Sequence, residues 1–418
     1  MTMRTSIAAF ATDFHDEGTG TALGRIQDRG GIGGVTLAAV YHHGRDIFPH
    51  SPVRKVRFLE GGRAFFRPDA SRYRPGGLAP VASSLAGQWD ALAALRTATA
   101  ARGMDLHAWT VFTHNTLLGS THPEAAVVNV YGDPQLTYLC PANPLVVEYC
   151  RALAADIARY EVDSVLAESL HYHPLEHGYH HERYLIDIGP ADRLLLGLCF
   201  CQYCRVLAAS RGVDAGQLAA SVRARLDAVF ASAGSYDPAE PGRQQAGQLW
   251  DGALAAFLDA REAAVAALAA AVSDGLSGTG VRLAFMDAAG AMKGYADGRP
   301  GGGPAPEVSW QIGVSPALIA PHCEEFLAAG YAADPQRVSA DLRAYLSLLA
   351  GQADLRVALR PLPPDCHDAA NLAAKLEVAR QAGATTLDFY HYGFARLETL
   401  DLVRGALGTS RGGGSEIQ

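Results

Sequence analysis

Eight apolar runs of strand length recur along the chain, and segments of helical periodicity lie between most of them. The runs are 6–12, 34–40, 106–112, 162–167, 280–286, 326–331, 355–359 and 385–389. Helical patterns cover 82–102, 144–160, 204–210, 215–233, 244–272, 335–349 and 369–381. Strands joined through helices run parallel, and eight of them can close on themselves, so the pattern predicts an α/β fold, a (β/α)8 TIM barrel. An open doubly wound sheet competes with it. No Gly-x-Gly-x-x-Gly turn follows the first run, so dinucleotide binding finds no support.

Two departures from a plain barrel are expected. Val53–Glu60 and Arg63–Arg67, separated by Gly61-Gly62, read as an inserted β-hairpin. Extra Ala-rich helices after strand four, about 205–275, read as a helical insertion. The barrel is expected to span 1–408 as one domain, with 409–418 as a flexible tail. The Gly- and Pro-rich stretch 288–306 reads as a mobile loop over the barrel mouth.

Hydrophobic residues make up 49% of the 418, enough for a large core. Net charge is −8, and the only lysines are Lys55, Lys293 and Lys375. No basic run is present to grip a phosphate backbone, which argues against nucleic acid. The first apolar stretch is interrupted at once by Asp13, Asp16 and Glu17, unlike a signal peptide. The most apolar later window contains Asp259, Arg261 and Glu262, which argues against a membrane span. A cytoplasmic protein with reduced thiols is expected, its oligomeric state left open. In that setting clustered cysteines point to metal binding or catalysis rather than disulfides.

The strand ends share a chemistry. Asp13 and His15 follow the first, His42 and His43 the second, His114 the third, Glu168 and His171 the fourth. Asp287 follows the fifth, Arg360 the seventh, Tyr390 and His391 the eighth. In a barrel these positions converge on the C-terminal rim, where active sites are built. A lone rim histidine is as readily a loop residue, but six of eight ends carry a carboxylate or imidazole. Glu168 closes an apolar strand, where desolvation would raise its pKa toward that of a general acid. Its bland alternative is a helix cap or a partner for Arg183. His171 and His173 could form a metal pair, while His177, His180 and His181 read mostly as solvated loop residues.

Seven cysteines are present, and three of them form Cys199-x-Cys201-x-x-Cys204. That spacing suits three thiolates converging on one ion, and an all-sulfur tetrahedral zinc site is closed and structural. Cys140, in Leu139-Cys140-Pro141-Ala142-Asn143-Pro144, is the natural fourth ligand, with Cys150 as a competitor. Cys323 and Cys366 look isolated. The alternative is a set of buried apolar thiols.

The order Cys140-Pro141-x-x-Pro144, helix, strand ending in Glu168, then Cys199-x-Cys201-x-x-Cys204-Arg205 resembles glycoside hydrolase family 42. These are β-galactosidases of the retaining (β/α)8 clan. The resemblance covers about 139–205 and implies that the four cysteines hold zinc and that Glu168 is the acid/base. Two positions depart from the family: Ala167 stands where an Asn is expected, and strand seven ends Leu359-Arg360-Pro361 with no Glu.

A hydrolase acting on a small carbohydrate or glycoside is therefore expected, with Glu168 as acid/base. Glycoside hydrolysis usually needs a second carboxylate. Asp287 is the first choice, ahead of Asp13 and Asp388. Asp13, His15, His42, Trp109, His114, His171, Arg360, Tyr390 and His391 are the candidate substrate-binding residues, with Tyr392 as a further stacking partner. Two other readings stand beside this one: a metal-dependent hydrolase or isomerase built on Glu168, His171 and a rim histidine, and a sugar-binding barrel without turnover.

Overall fold

The computed structural model describes residues 3–178, 183–231, 239–289 and 298–412. Eight parallel strands form its centre: β1 (Arg4–Ala9), β2 (Gly34–Tyr41), β3 (Asp105–Val111), β4 (Ser164–Glu168), β5 (Arg282–Asp287), β6 (Glu325–Ala329), β7 (Asp354–Leu359) and β8 (Thr386–Phe389). Each pairs with its neighbours in sequence, and β1 pairs with both β2 and β8, so the sheet closes. The fold is a (β/α)8 barrel.

All eight predicted runs became barrel strands, because such strands are buried on both faces and read as continuous apolar segments. In β2, Gly-Val-Thr-Leu-Ala-Ala-Val-Tyr, every residue is buried. The helices are set by their caps. Asn143 accepts from the Leu145 N–H and Pro144 opens Pro144–Ala158. Asp334 and Asp368 cap Pro335–Leu349 and Ala369–Gln381 in the same way.

Two expectations need correction, and one further element appears. Val56–Leu59 turns back onto Gly44–Ile47, while Arg63–Ala64 pairs with the end of β2, so Gly61-Gly62 is not the hairpin turn. The 244–272 helix is two, Arg243–Gly247 and Ala253–Leu276, because Trp250, Asp251 and Gly252 all adopt positive φ. The segment before Cys140 carries a short antiparallel pair, Ala126–Val128 with Pro134–Leu139.

The inserted helices make a second apolar cluster of their own, with Phe200, Leu218, Val222, Phe257 and Trp310. Ala253–Leu276 joins it to the main core and packs on Pro144–Ala158. The last described element is the helix Leu397–Gly412. Most of the expected tail, His180 and His181, and the centre of the expected mobile loop (290–297) lie outside the described residues. No helix among the described residues is long and apolar enough to cross a membrane.

Candidate active site

The barrel interior is not filled to its C-terminal end. Ala8, Thr36, Leu166, Leu327, Ala358 and Asp388 face a cavity of about 580 Å³. Small residues on β1 and β7 leave this room. Tyr41, His42, Trp109, Glu168, Tyr331 and Tyr390 line it nearer the rim. The loops after β4 add His173, Glu176 and His177.

Glu168 ends β4 and lines the cavity, with Trp109 Nε1–H donating to its Oε2. No cation pairs with it among the described residues. Burial lifts its pKa to about 7, and the indole hydrogen bond opposes that only in part. Such a carboxyl can give and take a proton near neutrality.

Of the sequence candidates, the structure brings Glu168, His42, Trp109 and Tyr390 together on the cavity wall. Asp287 is not among them. Met286 faces the cavity, so the next residue on the strand points outward, against the helices. There its carboxylate accepts from Ser309 Oγ at 2.5 Å, Tyr345 Oη at 2.8 Å and the Ala289 N–H at 2.8 Å. This is a closed structural set, with burial raising the pKa. Asp388, ranked last from sequence, is the one of the three that lines the cavity. Its carboxylate is clamped by Arg356 and accepts from Thr36 Oγ1 at 2.6 Å.

The other candidates sit around the cavity rather than on it. Asp13 lies in the helix Ala11–Glu17 and accepts from the Phe10 N–H at 2.9 Å. Burial pushes its pKa up to about 7. His15 is partly exposed, against Trp89 and Asp16. Arg360 is bound by both oxygens of Asp365, at 2.7 and 2.8 Å. His391 is packed between Phe10 and Phe394, each 4.4 Å away by ring centre, and burial takes its pKa down to about 3. Tyr392 is buried and donates to Glu17 at 2.7 Å.

His114 and His171 stand behind the wall in a stack of imidazoles. His114 is 4.7 Å from His42 and 5.2 Å from His177, and His171 is 4.7 Å from His173. Burial takes His114 down to about 2 and His171 to about 4, so both are neutral. Both His114 ring nitrogens, and Nε2 of His171 and His173, are buried without a hydrogen-bond partner. Among the described residues, however, only the cysteine set brings three or more ligand atoms within 4.8 Å of one another. Glu168 and His171 do not converge as a metal site: His171 Nδ1 is 2.6 Å from the Tyr172 carbonyl oxygen.

The cysteine set is Cys140, Cys199, Cys201 and Cys204. Cys140 Sγ lies 3.5 Å from Cys204 Sγ, 3.6 Å from Cys201 Sγ and 3.7 Å from Cys199 Sγ. A tetrahedral ion with sulfur ligands at about 2.3 Å spaces them at roughly 3.8 Å, so the set fits one. Disulfides, at about 2.05 Å, do not fit. The Val128 N–H donates to Cys199 and the Tyr172 hydroxyl lies 3.3 Å from Cys204, contacts of the kind that orient metal-bound thiolates. Cys150 is buried in its helix, outside the set.

Sequence reasoning missed Tyr41, Tyr331 and Arg261 on the cavity wall and gave His177 to solvent. Arg261 had a signal: it interrupts the apolar stripe of an Ala-rich helix.

No known family model matches the chain, and no curated protein matches it. Solved structures do resemble it. Alpha-L-fucosidase isoenzyme 2 from Paenibacillus thiaminolyticus superposes with a TM-score of 0.55 at 12% identity, over 98% of this chain and 49% of that one. The catalytic domain of beta-amylase from Paenibacillus polymyxa does so with a TM-score of 0.53 at 12% identity, over 95% of this chain and 94% of that one. The chain thus spans about half the length of the fucosidase. At this identity the likeness establishes the barrel, and the chemistry has to be argued from the site.

Proposed function

We propose that this protein is a glycoside hydrolase in which Glu168 is the general acid/base. The observation that carries the reading is a carboxyl at the end of β4, on the wall of a 580 Å³ cavity, with its pKa lifted to about 7. Protonated, it donates to the leaving glycosidic oxygen. Ionised, it takes a proton from water. Trp109 holds it in place and, with Tyr41, Tyr331 and Tyr390, offers the aromatic surface that sugar rings stack on. Of the three candidates for the second carboxylate, Asp388 alone lines the cavity, so it replaces Asp287 in that role. Both superposable structures carry glycosidase names, which agrees with this reading.

The order of cysteines around Glu168 resembles family 42, and we assign zinc to the cysteine set on that basis and on the sulfur spacing. When bound, the ion would supply a closed structural cross-link with no open position for chemistry. Cys140 follows the Pro134–Leu139 strand, while Cys199 and Cys201 lead into the helix Gln202–Ala209 and Cys204 lies in its first turn, so the set ties the segments before and after β4. The family's strand-seven Glu has no counterpart, and Arg360 in its place is bound to Asp365. The proposal therefore stops at glycosidase and does not extend to β-galactosidase.

The test is turnover on a panel of aryl glycosides with metal analysis of the same protein. Wild type should hydrolyse at least one member and carry one zinc per chain. Glu168→Gln should lose turnover while keeping its zinc and its fold. Turnover unchanged by Glu168→Gln would sink the assignment, and a metal content near zero would sink the zinc site. A metalloenzyme reading has the unpartnered nitrogens of His114, His171 and His173 in its favour. It requires a second, chelator-labile metal whose removal stops turnover without unfolding.

A further inference from the structure

Arg261 sits in the long helix Ala253–Leu276, outside the barrel strands, and lines the cavity. It is 2% exposed. Its guanidinium carbon lies 4.4 Å from the centre of the Tyr172 ring, and Nη1 donates to the Gln311 carbonyl at 3.2 Å. Its Nε is buried with no hydrogen-bond partner. Among the described residues no carboxylate pairs with it, whereas the other buried arginines, Arg356 and Arg360, each have a carboxylate clamp.

Arginine does not lose its proton in a protein, so the charge stays. A buried unpaired charge is costly, and its retention asks for an anion. The acidic residues of the cavity do not answer it. Asp388 belongs to Arg356, and Glu176 lies 3.8 Å from Arg193. Glu240 is exposed and takes an amide hydrogen bond from Gln311. Glu168 is uncharged in its acid form. Arg261 is thus the one guanidinium on the described cavity wall, and none of these carboxylates pairs with it among the described residues.

We propose that the cavity takes a saccharide bearing a carboxylate, and that Arg261 is the residue that recognises it. For the saccharide the proposal rests on the glycoside hydrolase reading, and for the carboxylate on Arg261. Guanidinium and carboxylate are matched in geometry, and the Tyr172 ring lies under the guanidinium carbon at 4.4 Å. A competing role exists, because the Tyr172 hydroxyl also touches Cys204. On that view the charge of Arg261 would answer the thiolates instead.

Calorimetric binding to the full chain at neutral pH separates the two. The probes are glucuronate, galacturonate and mannuronate, their neutral partners glucose, galactose and mannose, and the 6-sulfates of those sugars. In wild type at least one uronate should bind about tenfold or more tighter than its neutral partner, a difference of about 1.4 kcal/mol. Arg261→Gln should bring that ratio close to one, and Arg261→Lys should keep part of it. No uronate binding, equal binding of the neutral partner, or a sulfate preferred over every uronate in wild type would each overturn the proposal, whether or not the variants fold. So would a uronate preference that survives Arg261→Gln while zinc is lost, which would assign the charge to the cysteine set. Calorimetry reads binding without turnover. Arg261-dependent uronate binding with no aryl glycoside hydrolysed would defeat the hydrolase reading alone, and hydrolysis of neutral glycosides without uronate preference would defeat this one alone.

Discussion

Glu168 and Glu325 are the same side chain in the same barrel, and their surroundings differ in kind. Glu325 opens β6 and is fully buried, with Arg356 at 3.1 Å, Arg4 at 2.6 Å, Arg282 at 2.8 Å and the Thr386 hydroxyl at 3.1 Å. Arg356 also clamps Asp388 and donates to Ser164 and Thr36. The base of the barrel is thus a satisfied ionic network. At the mouth, Glu168 has one indole N–H and, among the described residues, no cation. Burial with partners produces a structural charge, and burial without them produces an acid that titrates near neutrality.

The comparison breaks most sharply at turnover. Glu168→Gln should lower kcat/KM on a hydrolysed aryl glycoside by about 10²- to 10⁴-fold with little loss of Tm. Glu325→Gln should instead lower Tm. If the two variants behaved alike in both assays, the division between mouth and base would fall.

Next in size is the network itself. Arg356→Met leaves Glu325 and Asp388 buried without their shared partner and should cost about 3–5 kcal/mol in urea unfolding. A loss under 1 kcal/mol would show that the network is not a structural charge set.

The pH dependence follows. Glu168 and Asp13 both have folded-state pKa values raised to about 7 by burial, above their ordinary carboxyl values. The folded state therefore holds these protons more tightly than the unfolded chain. Their contribution is full below about pH 4 and is lost as pH rises through about 7, on the order of 3 kcal/mol for each. Their part of the stability should fall between about pH 4 and 7, and Glu168→Gln should make the slope of unfolding free energy against pH shallower in that window. Activity should decline above about pH 7, where the acid form is lost. A basic limb beyond pH 9 would contradict the assignment.

The smallest effect sharpens the same contrast. Trp109→Phe removes the hydrogen bond that favours ionised Glu168, so the basic limb should move up by no more than about one pH unit. A downward shift would mean that another group sets the limb.

The legible parts of this chain are those with local causes. Strand runs, helix caps such as Asn143-Pro144, and the cysteine spacing are written in neighbouring residues. The hairpin was misread because Gly61-Gly62 looks like a turn, while register with β2 is a long-range matter. Asp287 was misread for a related reason. A run of apolar residues buried on both faces carries no alternation to show which side chains point inward.

The sequence by itself determined the order of eight strands and most of their helices, the Cys199, Cys201 and Cys204 cluster with Cys140 ahead of Cys150 as its fourth member, and a carboxyl at the end of β4. Only the tertiary structure decided which strand residues enter the barrel. Successive side chains point to opposite faces, so one residue of phase sends Asp287 outward to Ser309 and Tyr345, while Asp388 faces the cavity. It also decided that Arg261, from a helix beyond the strands, reaches the same cavity as Glu168. Packing of distant elements sets that meeting, and no local pattern encodes it.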